Sequence, residues 1–475
     1  MSARLSSPLK FGTDGWRAVI AQDFTFANVR RVAQALADYV VSTGEGSRGL
    51  VVGYDTRFLS DRFAASVAEV LAANGVPVYL TDQAAPTPAV SYAIKHLGAA
   101  GGVMVTASHN PPEYNGIKFK GSYGGSALPG MVAEIESRLE TAAGGEAPRV
   151  TANRVSGCIR SFDPRPPYFA QLRKLVDFEA IRSAGLRLVV DPMHGAGRGY
   201  LKELLAEERI SVTEIRGEFN PSFGGVNPEP IACNLDVLAQ AVRESRGDLG
   251  VATDGDADRV GAMDERGNFV DSHRIFALLL EHLVSRRRWT GAVVKTFSTT
   301  QMIDKLAAAY GLTLYETPIG FKYVCEYMLA DDILIGGEES GGIGIKNHLP
   351  ERDGLLCSLL LAESLAVSGL SLAALVDDLL RRVGQHEYGR VDLHLRPGQK
   401  EAVLERLMAC PPRELAGQPV VERRDRDGLK FVMADGSWLL FRPSGTEPLL
   451  RTYAEAPSRE QVRGLLAFAV AEAES

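Results

Sequence analysis

One rhythm runs through most of this chain: a short apolar segment, a polar loop, then an amphipathic stretch of helical period. GLVVGYD (49–55) reads as a buried strand ending in a loop, and DRFAASVAEVLAANG (61–75) as a helix that stops at Asn74–Gly75. VPVYL (76–80) is the next strand, and AAGGVMVTASHNP (99–111) another that runs into a loop. The pattern returns in LRLVVDPMHGAG (186–197), followed by the helical RGYLKELLAEE, in DLGVATDGDADR (248–259) and in GAVVKTFSTTQMIDKLAAAYG (291–311). Strands separated by helices pair in parallel through crossovers, so the rhythm predicts an α/β class. Functional loops in such sheets lie at the carboxyl ends of strands.

After about residue 382 the rhythm stops. HEYGRVDLHLRP alternates, and FVMADGSWLLFRPSG predicts a hairpin turning at Asp435–Gly436, so the tail reads as a smaller α+β domain. Residues 141–157 are small and polar, as in a linker, and 260–271 reads as a turn between units. For 475 residues, at a prior of ~150 per domain, the expected division is 1–150, 151–262 and 263–382, all α/β, then 383–475. No tandem repeat of fixed short period is visible.

The loops hold the chemistry. Thr106-Ala107-Ser108-His109-Asn110-Pro111-Pro112 sets a hydroxyl beside an imidazole, which reads either as a nucleophile with a base or as an ordinary turn. Asp254-Gly255-Asp256-Ala257-Asp258-Arg259 carries three carboxylates at i, i+2 and i+4, oxygen ligands suited to Mg²⁺ or Ca²⁺. The spacing is not that of an EF-hand. An acidic loop after so apolar a strand is costly unless something neutralises it. Gly336-Gly337-Glu338-Glu339-Ser340-Gly341-Gly342 can bind sugar hydroxyls or be a plain loop, and Arg442-Pro443-Ser444-Gly445-Thr446-Glu447-Pro448, with Arg451 beyond, is an anion cradle or a capped turn. Asp55 and Arg57 at a strand end read as an internal salt bridge, and DPMHGAG (191–197) as a phosphate loop or as helix–sheet packing.

Several classes are excluded or disfavoured. Lys plus Arg number 52 against 59 Asp plus Glu, and a net charge of −7 argues against nucleic acid as the main partner. No apolar run of membrane-spanning length appears, and the N-terminus lacks the apolar core of a signal peptide, so the expectation is a cytoplasmic protein with no membrane partner. Five cysteines include no C-x-x-C pair, which disfavours structural zinc or a disulfide framework. There is no GxxxxGK[ST], no GxSxG and no GxGxxG opening the first strand–helix unit.

Taken together and in this order, GTDGWR (12–17), TASHNPPEYNGIK (106–118), DGDADR (254–259), TPIGFK (317–322), GEESGG (337–342) and RPSGTEP (442–448) resemble the α-D-phosphohexomutases, which include phosphoglucomutase and phosphomannomutase. The resemblance implies four domains around a central cleft, three α/β with mixed sheets and a C-terminal α+β domain. It implies a hexose phosphate as the small-molecule substrate, Ser108 as a phosphoserine, and Mg²⁺ held by Ser108, Asp254, Asp256 and Asp258. Lys118 is the implied base, expected among cations and hence with a lowered pKa. His109 and Arg17 would hold the transferring phosphate and Arg259 would position the apparatus. Glu338 and Ser340 would grip the sugar, with Gly320, Lys322 and Lys295 as secondary contacts, while Arg442, Ser444, Gly445, Thr446 and Arg451 anchor the distal phosphate. A hexose 1,6-bisphosphate would be both intermediate and activator, and the chain a monomer or homodimer.

GEES is the form associated with glucose-preferring members; dual glucose/mannose members more often read GEMSGH and glucosamine members GEQSGH. Position 342 is Gly here rather than His, which weakens the mannose and glucosamine readings. Phosphomannomutase or dual activity, a glucose 1,6-bisphosphate synthase and a non-catalytic sugar-phosphate binder are the alternatives.

Overall fold

A computed structural model describes residues 9–12, 14–142, 158–445 and 448–474, and its strands form four sheets. The first contains β1 (Trp16–Val19), β2 (Leu50–Tyr54), β3 (Val78–Thr81), β4 (Gly101–Val105), β5 (Tyr114–Gly121) and β6 (Ile159–Phe162), ordered β1-β5-β4-β2-β3-β6. The second contains β7 (Arg187–Asp191), β8 (Ser211–Glu214), β9 (Leu249–Thr253), β10 (Val260–Met263) and β11 (Phe269–Val270), ordered β11-β10-β9-β7-β8. The third runs β13-β12-β14-β15, from β12 (Ala292–Thr296), β13 (Leu314–Thr317), β14 (Ile333–Gly337) and β15 (Ile343–Ile345). The fourth holds β16 (Glu387–His394), β17 (Glu414–Leu415), β18 (Gln418–Arg424), β19 (Leu429–Met433), β20 (Trp438–Pro443) and β21 (Leu449–Ala456) in an antiparallel order β16-β21-β20-β19-β18-β17.

The first three sheets share one plan. A central strand (β2, β7 or β12) has a parallel neighbour on each side, and one of these neighbours turns back into an antiparallel strand: β4 into β5, β9 into β10, β14 into β15. Each reversing loop carries one of the polar motifs: Ser108, Asp254–Asp258 and Glu338–Ser340. A repeat of whole-unit length is thus present where no short period shows.

Two expectations change. Residues 260–271 are not an inter-unit turn: VGAM is buried and forms β10, which pairs with β11 across a turn closed by Gly267 N–H donating to Asp264 O at 2.9 Å. β6 lies beyond residue 150 yet pairs in parallel with β3, so the first sheet extends past the expected division. The expected linker, 141–157, falls almost wholly outside the described residues. The hairpin at Asp435–Gly436 forms as expected, with Gly436 at φ 85°.

The helix Gly354–Ser368 is apolar on nearly every face and is buried along most of its length. Asp353 caps it, accepting from Leu356 N–H at 2.8 Å. It is an axis of one hydrophobic cluster that runs unbroken from the second sheet to the third. The first and fourth units have clusters of their own. No single helix among the described residues is long and apolar enough to cross a membrane.

The fourth sheet packs one face on the helices Gln399–Ala409 and Arg459–Glu474, and turns the other to Phe297 and Ile319 of the third unit. Lys430 is buried in that interface, 4.0 Å from the Trp438 ring centroid, and donates to Phe297 O at 2.9 Å. Burial, with Lys295 nearby, pushes its pKa down to about 7. A lysine depressed in the fold costs stability in full below pH 7, and the cost fades as pH climbs toward the ordinary value of 10.5. Lys430→Met should therefore raise Tm near pH 6.5 by about 2 °C or more, and the advantage should shrink by pH 9.5, as read by calorimetry.

Candidate active site

β4 is buried throughout and delivers Ser108 into the interior at φ 53°, in the left-handed region that side chains rarely adopt. Its surroundings hold it there. Ser108 N–H donates to Thr106 Oγ1 at 2.8 Å, and Thr106 Oγ1 donates to Asp55 Oδ2 at 2.7 Å. Arg57 forms the expected internal salt bridge, Nε to Asp55 Oδ2 at 3.1 Å. It also clamps the loop: Nη2 donates to the carbonyls of Ser108 (2.7 Å) and Asn110 (2.6 Å), and Nη1 to those of Pro111 (2.7 Å) and Tyr114 (3.0 Å).

The acidic loop closes on it. Ser108 Oγ donates to Asp254 Oδ2 at 2.6 Å. Asp254 Oδ1 accepts from the N–H groups of Asp258 (3.0 Å) and Arg259 (3.1 Å). Asp256 Oδ2 accepts from Thr87 Oγ1 at 2.6 Å and Lys118 Nζ at 2.8 Å, and Asp258 Oδ2 lies 3.1 Å from Lys118 Nζ. A Cβ on Gly255 would lie 2.4 Å from Ser108 O, so only glycine lets the two loops meet. DPMHGAG buttresses the acidic loop, with Ala196 N–H donating to Gly255 O at 2.9 Å; packing explains its glycines.

All three aspartates are fully buried, and each presents a carboxylate oxygen within 4.8 Å of the others. Asp256 Oδ1 and Asp258 Oδ1 are buried without a hydrogen-bond partner. Such orphaned anionic oxygens are costly, and the donor set fits a hard divalent cation. Burial, together with Asp256 and Asp258, pushes the Asp254 pKa well up; burial also acts on Asp256, but Lys118 and Thr87 outweigh it and hold that carboxyl low.

Lys118 departs from expectation. It stands among anions, Asp14 (2.8 Å), Asp256 and Asp258, rather than among cations. Burial disfavours its charge, yet these carboxylates prevail and raise its pKa. His109, next to Ser108 with Nδ1 3.4 Å from Oγ, is held well below its ordinary value by burial and by Arg259 and Arg17, and so is neutral near pH 7. Arg17 Nη1 donates to Asn110 Oδ1 at 2.6 Å, and Arg259 Nε lies 3.9 Å from Asp254 and 3.8 Å from Asp258.

These groups border a cleft of about 690 Å³. Of the residues singled out in the sequence, Arg17, His109, Arg259, Glu338, Ser340, Arg442, Gly445 and Arg451 line it. Ser108, Lys118 and the aspartates are buried beside them. Gly320 (φ 135°) sits between the lining residues Ile319 and Phe321. Ser444 is buried, its N–H donating to Leu449 O at 2.8 Å. The other two secondary contacts are not among the lining residues: Lys295 is buried against Asp304 and Thr300 O, and Lys322, next to Phe321, lies over the Tyr323 ring. Thr446 is outside the described residues. Burial pushes Glu338 up to about 7, against the pull of Arg352, so near neutral pH it can donate or accept.

Four contributors escaped the sequence reading: Arg57 as a clamp, Asp14, Arg390 and Arg352. Arg352 reaches Asp14 (2.5 Å), Asp258 (2.6 Å) and Glu338 (3.5 Å). A signal for it was present, since Gly342 is the departure noted above. A Cβ there would lie 2.2 Å from Arg352 Cδ, so a glycine is what admits this arginine.

Four family models match the chain: the phosphoglucomutase/phosphomannomutase alpha/beta/alpha domain I at residues 8–145, domain II at 166–267, domain III at 271–383 and the C-terminal domain at 398–472. A Thermococcus kodakarensis protein named phosphoglucomutase/phosphomannomutase is 32% identical over 461 residues, 97% of either chain. A Caldicellulosiruptor bescii phosphoglucosamine mutase is 31% identical, covering 95% of this chain and 96% of its own. A solved structure from Thermus thermophilus, provisionally described as a phosphomannomutase, aligns with a TM-score of 0.87 at 39% identity over 99% of this chain and 100% of that one. The chain belongs to the phosphoglucomutase/phosphomannomutase family. Its members are mutases, and the expected four-domain class and isomerase assignment are borne out.

Gly342→Ala should displace Arg352 and lower kcat/KM about tenfold or more. In the background of Arg352→Ala the same change should add little, which steady-state kinetics on the four variants will show.

Proposed function

We propose that this enzyme interconverts glucose 1-phosphate and glucose 6-phosphate through a phosphoserine at Ser108 and an enclosed hexose 1,6-bisphosphate. The observation that carries the reading is Ser108 Oγ, 2.6 Å from Asp254 and beside two buried carboxylates with orphaned oxygens, at the edge of a cleft lined by arginines. Asp254, Asp256, Asp258 and the Ser108 phosphate would hold Mg²⁺. When bound, the cation offsets the charge of carboxylates and phosphate and favours departure of the serine oxygen.

The chain's own residues account for the rest. Arg17, neutral His109 and Arg259 bind the transferring group; Arg442, Gly445 and Arg451 hold the distal phosphate, with Ser444 and Thr446 in the same loop. Glu338 and Ser340 take sugar hydroxyls. Lys118 Nζ carries a proton held by three carboxylates, so it donates as the serine oxygen departs and accepts from the sugar hydroxyl once that negative charge is compensated. After the first transfer the bisphosphate reverses, the fixed cradle accepts either end, and the opposite phosphate returns to Ser108. Free bisphosphate serves as activator because it reloads Ser108.

The glucose preference rests on GEES and on Gly342. Relatives carry names for glucose, mannose and glucosamine, so the sugar is decided by assay. Glucose 1-phosphate should show the highest kcat/KM beside mannose and glucosamine 1-phosphates. Equal use of mannose would make the enzyme dual; net build-up of glucose 1,6-bisphosphate from another bisphosphate donor would make it a synthase. In this reading it works in the cytoplasm as a monomer or homodimer.

Peptide mass spectrometry should find phosphate on Ser108 in part of the purified protein; full activity in Ser108→Ala would refute the mechanism. Asp256→Asn should lower kcat about 100-fold or more and weaken Mg²⁺ dependence, and a rate indifferent to chelator would remove the metal assignment.

A further inference from the structure

The fourth sheet sets a third arginine beside the two that cradle phosphate. Arg442 and Arg451 face each other across β20 and β21. On the next strand, β16, Asp392 stands opposite Arg451, and Arg390 stands opposite Tyr453. Residues two apart on a strand share a face, so these side chains form one patch, and Arg390, Tyr453, Arg442 and Arg451 all line the cleft.

The guanidinium of Arg390 is fixed along one edge. Its Nε and Nη2 donate to the two oxygens of Asp392, each at 2.7 Å, and its carbon lies 5.5 Å from the Tyr453 ring centroid. The same carboxylate lies 3.9 Å from Arg451 Nε, so one acid sits between two arginines. Nη1 makes no hydrogen bond to any described residue. The pair is about one-third exposed on either side (38% and 34%), and an exposed pair of this kind adds little to stability. A pre-oriented fork with free donors, facing an anion cleft, is well placed to bind at low entropic cost.

Its position along the strand says what it meets. β21 runs from Arg451 through Tyr453 to Glu455, and Glu455 accepts from Gln301 N–H and Thr300 Oγ1 of the third unit. The Arg390–Tyr453 row therefore lies between the phosphate row and the third unit, which supplies the sugar loop. We propose that Arg390 is a substrate-contacting residue, donating from Nη1 where the distal phosphate joins the hexose, with Asp392 as its positioning residue. This rests on the reading of the cleft as a hexose-phosphate site.

The test is calorimetric titration in a Ser108→Ala background, which blocks turnover. Glucose 1-phosphate and inorganic phosphate are the separate probes, and Tm is recorded for every variant. Arg390→Met should raise the Kd for glucose 1-phosphate at least about tenfold while changing that for inorganic phosphate less than about threefold. Arg390→Lys should recover only part of the loss, because an ammonium lacks the fork. Asp392→Asn with Ser108 intact should raise KM and spare kcat. Unchanged sugar-phosphate affinity in Arg390→Met, an equal loss for both probes, or a loss that tracks a fall in Tm would overturn the assignment. If the parent protein binds no hexose phosphate the whole reading of the cleft falls; if it binds and Arg390→Met binds equally well, only the role of Arg390 does.

Discussion

A buried charge lattice ties the first three units together, and the catalytic geometry depends on it. Lys118 comes from the first unit, Asp256 and Asp258 from the second, and Arg352 from the third; Asp14 joins Lys118 to Arg352. Each charge is compensated only while the others stay in place, and a single survivor in so dry a setting would be strongly destabilising. The lattice continues on either side of Arg352. Glu351 pairs with buried Lys120 of the first sheet, and Asp353 accepts from Tyr168 OH at 2.8 Å while capping the central helix. Three consecutive residues thus fix the third unit against the other two.

The same lattice explains how an acidic chain offers a basic cleft. Near the site, Asp14, Asp256 and Asp258 are turned inward onto Lys118 and Arg352. Arg17, Arg259, Arg390, Arg442 and Arg451 keep faces toward the opening. A net charge of −7 and an anion-binding site are compatible because the sign is sorted by depth.

Much of this was legible in the sequence, and the reason is local. Ser108, the aspartates and the glycines between them lie in contiguous loops after strongly apolar strands, so the loops stood out in the sequence, while the roles of their residues came from the family resemblance. The Asp435–Gly436 hairpin was legible for the same reason. What stayed hidden depends on contacts distant in sequence. Arg352 acts 94 residues from Asp258, marked only by the glycine at 342 that makes room for it, and Arg57 acts on a loop 51 residues away. Lys118 meets anions where the sequence suggested cations, because the sign of its neighbours is a property of three loops converging. β10 was missed because two short strands around Asp264–Gly267 look like the turn they enclose.

The shared hydrophobic cluster of the second and third sheets has a consequence for how the molecule comes apart. Four sheets and four family domains divide the sequence, but the helix Gly354–Ser368 and the apolar residues around it give two of those sheets a single interior. Neither can expose its half without stripping the other. The seam between the second and third domains, a boundary in topology, is therefore no boundary in the core.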